Sequence, residues 1–148
     1  MKDKKLIFYN RIIFILSLLG IVMAVYVLQS FLRQAPIVCV NEGCDLVRKS
    51  AHSYIFGIPV PAFGLVGYSL LSILAFLRTT MTDKRLIYGM LGISIFGVCF
   101  VTWFTWVELF LIKGICTWCA ISAVNMVVIF IFTLKILNSE RRVHADDR

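Results

Sequence analysis

Four long apolar runs separated by short polar breaks dominate the chain. The first, Leu6 to Phe31, carries Asn10 and Arg11 near its start and only an occasional Ser or Gln after them. The second opens behind Pro59 and Pro61 and extends to Leu77. The third covers Leu86 to about Val107, and the fourth begins at Cys116 and continues to Leu137. A helix rises 1.5 Å per residue, so about 20 apolar residues cross a hydrocarbon layer of roughly 30 Å. The pattern predicts an all-α membrane protein, a four-helix bundle with helices at about 6–31, 60–77, 86–108 and 115–137 in a single membrane domain. Residues 138–148 are charged and are expected to form a disordered cytoplasmic tail. A cleaved signal peptide needs a shorter apolar core and a small-residue cleavage site. Neither Leu28-Gln29-Ser30 nor Arg33-Gln34-Ala35 supplies one, so the first run is expected to be retained.

The longest polar stretch, residues 32–59, interleaves Leu46, Val47, Tyr54, Ile55 and Phe56 with its polar positions. Asp45 is placed to cap a short helix through Leu46 to His52. The stretch is therefore expected to be a partly helical lid between helices one and two. Gly64 and Gly67 in the second run, and Gly89, Gly92 and Gly97 in the third, permit close helix contact. Trp103 and Trp106 suit an interfacial aromatic belt. Glu108 is expected to be an interfacial charge paired with Lys113, and Cys99 a buried small apolar residue.

Composition sharpens the picture. Of 148 residues 16% are charged, and the mean hydropathy is +0.91. A soluble domain carries about a quarter charged residues, so this is an integral membrane protein. The net charge of +7 does not point to nucleic acid, because the basic residues cluster at the ends of the apolar runs. With four spans, eleven of the fifteen lysines and arginines fall on one side: those of the N-tail (Met1 to Lys5) with Arg11, the turn Arg78 to Arg85, and Lys135 to Arg148. The positive-inside rule puts that side, with both termini, in the cytoplasm of a plasma (inner) membrane.

That topology gives the cysteines their chemistry. Cys39/Cys44 and Cys116/Cys119 both fall on the extracytoplasmic face, where disulfides persist. Cys116-Thr117-Trp118-Cys119 stands at the mouth of the fourth helix. Residues three apart on a helix share a face, within the reach of a disulfide. Backbone N–H groups and the helix dipole there favour a thiolate. Two pairs on one face exchange disulfides through a mixed intermediate. A soluble protein can touch the loop pair, and a lipid-soluble acceptor the helix pair. The asymmetry suggests a relay from an external dithiol through both pairs to a membrane quinone. Ile55-Phe56-Gly57-Ile58-Pro59 and Trp118 are placed to form part of a quinone slot. Two alternatives stand beside the relay: disulfides that only brace a non-enzymatic membrane protein, and a Cys₄ zinc site. Trp118 and the lipid edge argue against the zinc site.

The four spans, the loop pair, Ser50 six residues after Cys44, Phe56-Gly57-Ile58-Pro59-Val60 leading to Gly64 and Tyr68, and Cys116-Thr117-Trp118-Cys119 together resemble the vitamin K epoxide reductase family, in its bacterial form. The other membrane thiol oxidase family, that of disulfide bond protein B, carries its CxxC in the first external loop and fits less well. The resemblance implies a four-helix bundle around a quinone, menaquinone or ubiquinone, and a separate thioredoxin-like thiol oxidoreductase as partner. It implies that Cys39 receives electrons, that Cys44 attacks Cys116, and that Cys119 faces the quinone. Ser50 would hydrogen-bond the quinone carbonyl or the thiolate, and Ser53 would be a further polar ring contact. Members that reduce vitamin K epoxide carry a tyrosine where Ala123 stands, which weakens the alternative activity of quinone epoxide reduction by external thiols.

Overall fold

The computed structural model describes residues 2–81 and 83–146. Met1 of the basic N-tail, Thr82 of the second turn, and Asp147 and Arg148 of the C-tail lie outside the described residues. The chain runs α1 (Lys2–Arg33), α2 (Gly43–Lys49), a single tight turn at Ala51–Ser53, a hairpin of β1 (Tyr54–Ile55) and β2 (Ile58–Pro59), then α3 (Val60–Thr80) and α4 (Lys84–Val107). A wide helical turn, Glu108–Ile112, extends α4, and α5 (Thr117–Asp146) completes the chain. Four helices are long and apolar enough to cross a membrane. They pack as a closed ring, α1 on α3, α3 on α4, α4 on α5 and α5 on α1. Ile15, Leu19, Val22, Ile73 and Val124 point outward and are exposed. Apolar residues on the outer as well as the inner face mark helices solvated by lipid.

The bundle core is built from Ile13, Tyr68, Leu71, Ala75, Ile87, Met90, Met126, Ile129, Ile136 and Leu137. Polar groups inside a bilayer have no water to bond, so they must find partners within the protein. Asn10 Nδ2 donates to the Ala75 carbonyl at 2.8 Å, and Asn125 Nδ2 to the Leu16 carbonyl at 3.1 Å. Each ties one helix to another. Ser17 and Thr133 bond carbonyls one turn back on their own helices.

Three expectations need correction. The C-terminal segment is not a disordered tail: α5 carries on through Asp146. No Gly or Pro interrupts the sequence there, and Glu140 pairs with Arg78 in the last turn of α3. The helix of the lid spans Gly43–Lys49 rather than Leu46 to His52, with Glu42 at the cap position. Asp45 therefore lies inside its first turn and pairs with Arg48 at 3.1 Å instead of capping. Cys99 is exposed on α4 rather than buried.

Candidate active site

The lid, the end of α4 and the start of α5 meet in a second buried cluster of Cys44, Val47, Val60, Phe104 and Cys116. Glycine makes the meeting possible. A Cβ on Gly43 would stand 2.1 Å from the Ile115 carbonyl oxygen, so only glycine lets α2 approach the segment before α5 this closely. Trp118 fastens the other side of the lid. Its indole N–H donates to the Val38 carbonyl at 2.8 Å, and its ring lies 5.0 Å from that of Tyr26.

Cys39 and Cys44 are joined by a disulfide, and their Cα atoms are 6.3 Å apart. Cys39 is half-buried between the exposed Val38 and Val40, whereas Cys44 is buried. Cys116 and Cys119 are free thiols. The Sγ atoms of Cys44 and Cys116 are 3.3 Å apart and buried. Disulfide exchange requires such an approach of a thiolate to a disulfide sulfur. Cys116 occupies the cap position of α5, its carbonyl accepting the first helical bond from Ala120 N–H at 3.0 Å. A hydrogen bond from the Cys119 thiol draws the Cys116 pKa down to about 7, against the opposing effect of burial. Backbone N–H groups of Cys119 and Trp118 add to the pull.

Below Cys119 lies a cavity of about 110 Å³ between the helices. Its volume is of the order that takes one aromatic ring. Val27, Phe63, Phe100 and Phe104 supply apolar walls, and Cys119 and Trp118 close the lid end. Gly64 and Gly67 also line it, and a Cβ on either would meet nothing within 4 Å. These glycines leave room for a ligand and do not bring helices together; Gly97, packed on Met126, does serve helix contact. Tyr68 reaches the cavity with its hydroxyl hydrogen-bonded to the carbonyl and hydroxyl of Ser122, both at 2.9 Å. An apolar slot with one phenol and one thiol suits a quinone head: flat, mostly apolar, with oxygens that accept hydrogen bonds.

Of the residues singled out from sequence, Cys44, Cys116, Cys119 and Trp118 converge here, with Cys39 bonded to Cys44. Ser50, Ser53, Phe56, Gly57 and Ala123 stand apart from the cavity lining. Phe56 and Gly57 form the two-residue tip of the hairpin, with φ of 52° and 81°, and Phe56 is 100% exposed. Left-handed φ at both positions is what a tight hairpin demands, and it carries the ring away from the bundle. Residues 55–59 therefore do not line the cavity, which is built from α1, α3, α4 and α5. Ser53 Oγ donates to the Val47 carbonyl at 2.5 Å and locks the lid. Ser50 Oγ accepts from His52 N–H at 3.2 Å. Ala123 is half-buried on α5. Glu108, expected at the interface with Lys113, is 1% exposed, and its carboxylate shares a cluster no wider than 4.8 Å with the sulfurs of Cys116 and Cys119. Sequence reasoning passed over Ser122 and the cavity role of Tyr68; a polar side chain in mid-span is the signal that marks them.

Comparison with known proteins agrees with this geometry. No curated protein matches the chain. The family model described as "Vitamin K epoxide reductase family" matches residues 11–134, which reaches from within the first span into the fourth and takes in both cysteine pairs. The chain belongs to the vitamin K epoxide reductase family, whose members are quinone-linked oxidoreductases.

Proposed function

We propose that the protein is a membrane thiol oxidase, which carries two electrons from a thioredoxin-like thiol oxidoreductase to a membrane quinone and so supports disulfide formation. The single observation that carries the reading is the 3.3 Å separation of the Cys44 and Cys116 sulfurs, with Cys119 one helical turn on and lining the cavity. A reduced partner attacks Cys39, the more accessible sulfur of the outer disulfide, and leaves with a disulfide of its own. Cys44, now a thiol, attacks Cys116 of the oxidised inner pair. Cys39 then attacks Cys44, which restores the outer disulfide and leaves the inner pair as a dithiol. That is the redox arrangement of the structure, with the electrons on the inner pair. Closure of the Cys116–Cys119 disulfide passes two electrons and, in sum, two protons to the quinone, giving the hydroquinone. Quinones are more oxidising than protein dithiols, and each 30 mV of difference is worth about 1.4 kcal/mol for a two-electron couple.

The charge pattern supports a plasma-membrane orientation with cytoplasmic termini and the cysteines outside. Menaquinone and ubiquinone both match the apolar slot. The test is to mix the purified protein with a reduced thioredoxin-like protein and each quinone and follow quinone absorbance. Turnover that falls to background in Cys119→Ser, with the protein still inserted, is the expected result. Absence of turnover in the unaltered protein with every partner and quinone overturns the assignment.

A further inference from the structure

Glu108 is the feature that the sulfur relay leaves unused. It is 1% exposed, at the end of a membrane span, and its Oε1 has no hydrogen-bond partner. Among the described residues no Lys, Arg or His lies within ion-pair distance of it. A carboxylate that only supported the fold would be paired, because an unpaired buried charge is costly. The titratable groups facing it from α5 are Cys116 and Cys119, whose sulfurs and the carboxylate all lie within 4.8 Å of one another. Lys113, on the same segment, is exposed.

The local backbone brings the start of α5 back over this side chain. The wide turn Glu108–Ile112 ends at Lys113 in the left-handed conformation, with Gly114 N–H bonded back to the Glu108 carbonyl at 3.2 Å. Wide turns of this kind within helices recur at functional sites. Glu108 stands one turn beyond Phe104 and Thr105, which both line the cavity. Helical side chains lean toward the N-terminal end of their helix, which here is the cavity side.

We propose that Glu108 is a catalytic proton carrier for quinone reduction, taking the proton of the Cys119 thiol and delivering it to the reduced quinone. The inference rests on the quinone-linked reading above. Cys119 Sγ–H gives its proton to the carboxylate as the sulfur electron pair moves toward the quinone. The Cys116 thiolate then bonds to the Cys119 sulfur, closing the disulfide and releasing two electrons to the quinone. One hydroquinone proton comes from Glu108. The other comes from water, which received it when Cys116 ionised. Two thiols and a quinone thus become a disulfide and a hydroquinone, with the carboxylate returned to its starting state.

The test separates the two half-reactions and adds a readout that needs no quinone. In Glu108→Gln, single-turnover quinone reduction by the pre-reduced protein falls about 100-fold. Reduction of the outer disulfide by the thioredoxin-like partner, measured without quinone, stays within about twofold. Glu108→Asp, with its carboxylate withdrawn by one methylene, falls between the two. In a Cys116→Ser background, alkylation of Cys119 by a membrane-permeant maleimide quickens about tenfold with Glu108→Gln and its rise with pH moves to lower pH, because the thiolate no longer forms beside a carboxylate. Equal alkylation rates and pH profiles with Glu and Gln overturn the proposal, whether or not the protein reduces any quinone. If Glu108→Gln does not insert, Glu108→Asp decides: faster alkylation than with Glu supports the proposal, and an unchanged rate overturns it. A protein that alkylates as expected but never reduces a quinone refutes the functional reading and leaves Glu108 as the base for Cys119.

Discussion

The two buried clusters of this protein solve opposite problems. The bundle core, from Ile13 through Leu137, is filled by apolar side chains, and Asn10 and Asn125 reach across it to carbonyls on neighbouring helices. The cluster under the lid holds cysteine sulfurs, a carboxylate with one unpartnered oxygen and a cavity. Lipid offers no hydrophobic drive for helix association, so close packing and internal hydrogen bonds must hold the first region. The second gives up packing so that something can enter and sulfur atoms can exchange partners. The bundle core is thus the frame, and it lets the site be left underfilled. Tyr68 belongs to both: its ring is part of the core and its hydroxyl reaches the cavity.

The contrast can be broken at the glycine under the lid. Gly43→Ala forces a methyl group onto the Ile115 carbonyl and pushes α2, with Cys44, away from Cys116. Displacement of reacting atoms by about 1 Å costs on the order of 100-fold, so sulfur exchange between the two pairs should fall by that factor. Thermal stability should change little. The measurement is partner oxidation by the pre-oxidised protein in stopped flow, alongside a melting curve. A core substitution should do the reverse. Ile129→Ala opens a void in the fully buried bundle core and should cost about 2 kcal/mol of stability, read by denaturant titration in detergent, with per-molecule turnover retained.

Much of this division was legible in the sequence, and the boundary of legibility has a physical cause. The spans were plain because lipid imposes a length and a polarity on any crossing helix, and Leu6 to Phe31 meets both. Cys116 to Cys119 announced the redox pair through its place at a helix mouth. Glu108 was expected at the interface, and its burial comes from the start of α5 closing over the end of α4, which no local residue pattern marks. The place of Phe56 at the hairpin tip, away from the cavity, was hidden because a bulky residue at positive φ runs against propensity, and the two-residue turn overrides it. Gly64 and Gly67 fit either close packing or an empty slot, and only the neighbours distinguish these. The C-terminal extension of α5 is accompanied by a pairing of Glu140 with Arg78 that sequence distance conceals.

Two smaller effects sharpen the comparison. The lowered pKa of Cys116 makes its thiolate abundant above about pH 7 and scarce below it. Alkylation of Cys116, followed by peptide mass spectrometry, should reach half its limiting rate near pH 7 and fall about tenfold per unit below that. A midpoint near the usual thiol value removes the account of its reactivity from the Cys119 hydrogen bond and the backbone N–H groups. The smallest effect is expected at the hairpin tip. Phe56→Ser alters a fully exposed ring outside the cavity lining and should change the quinone KM by less than about twofold. A large rise in KM would restore the hairpin to the quinone site.

The most direct measurement traps the sulfur bridge between lid and bundle. Replacing Cys39 and Cys119 by Ser leaves Cys44 and Cys116 as the reactive pair, their sulfurs 3.3 Å apart. Mild oxidation in the membrane followed by mass spectrometry should find a Cys44–Cys116 disulfide within one chain, in high yield. Recovery of both cysteines as free thiols, or joined only between chains, would contradict the relay.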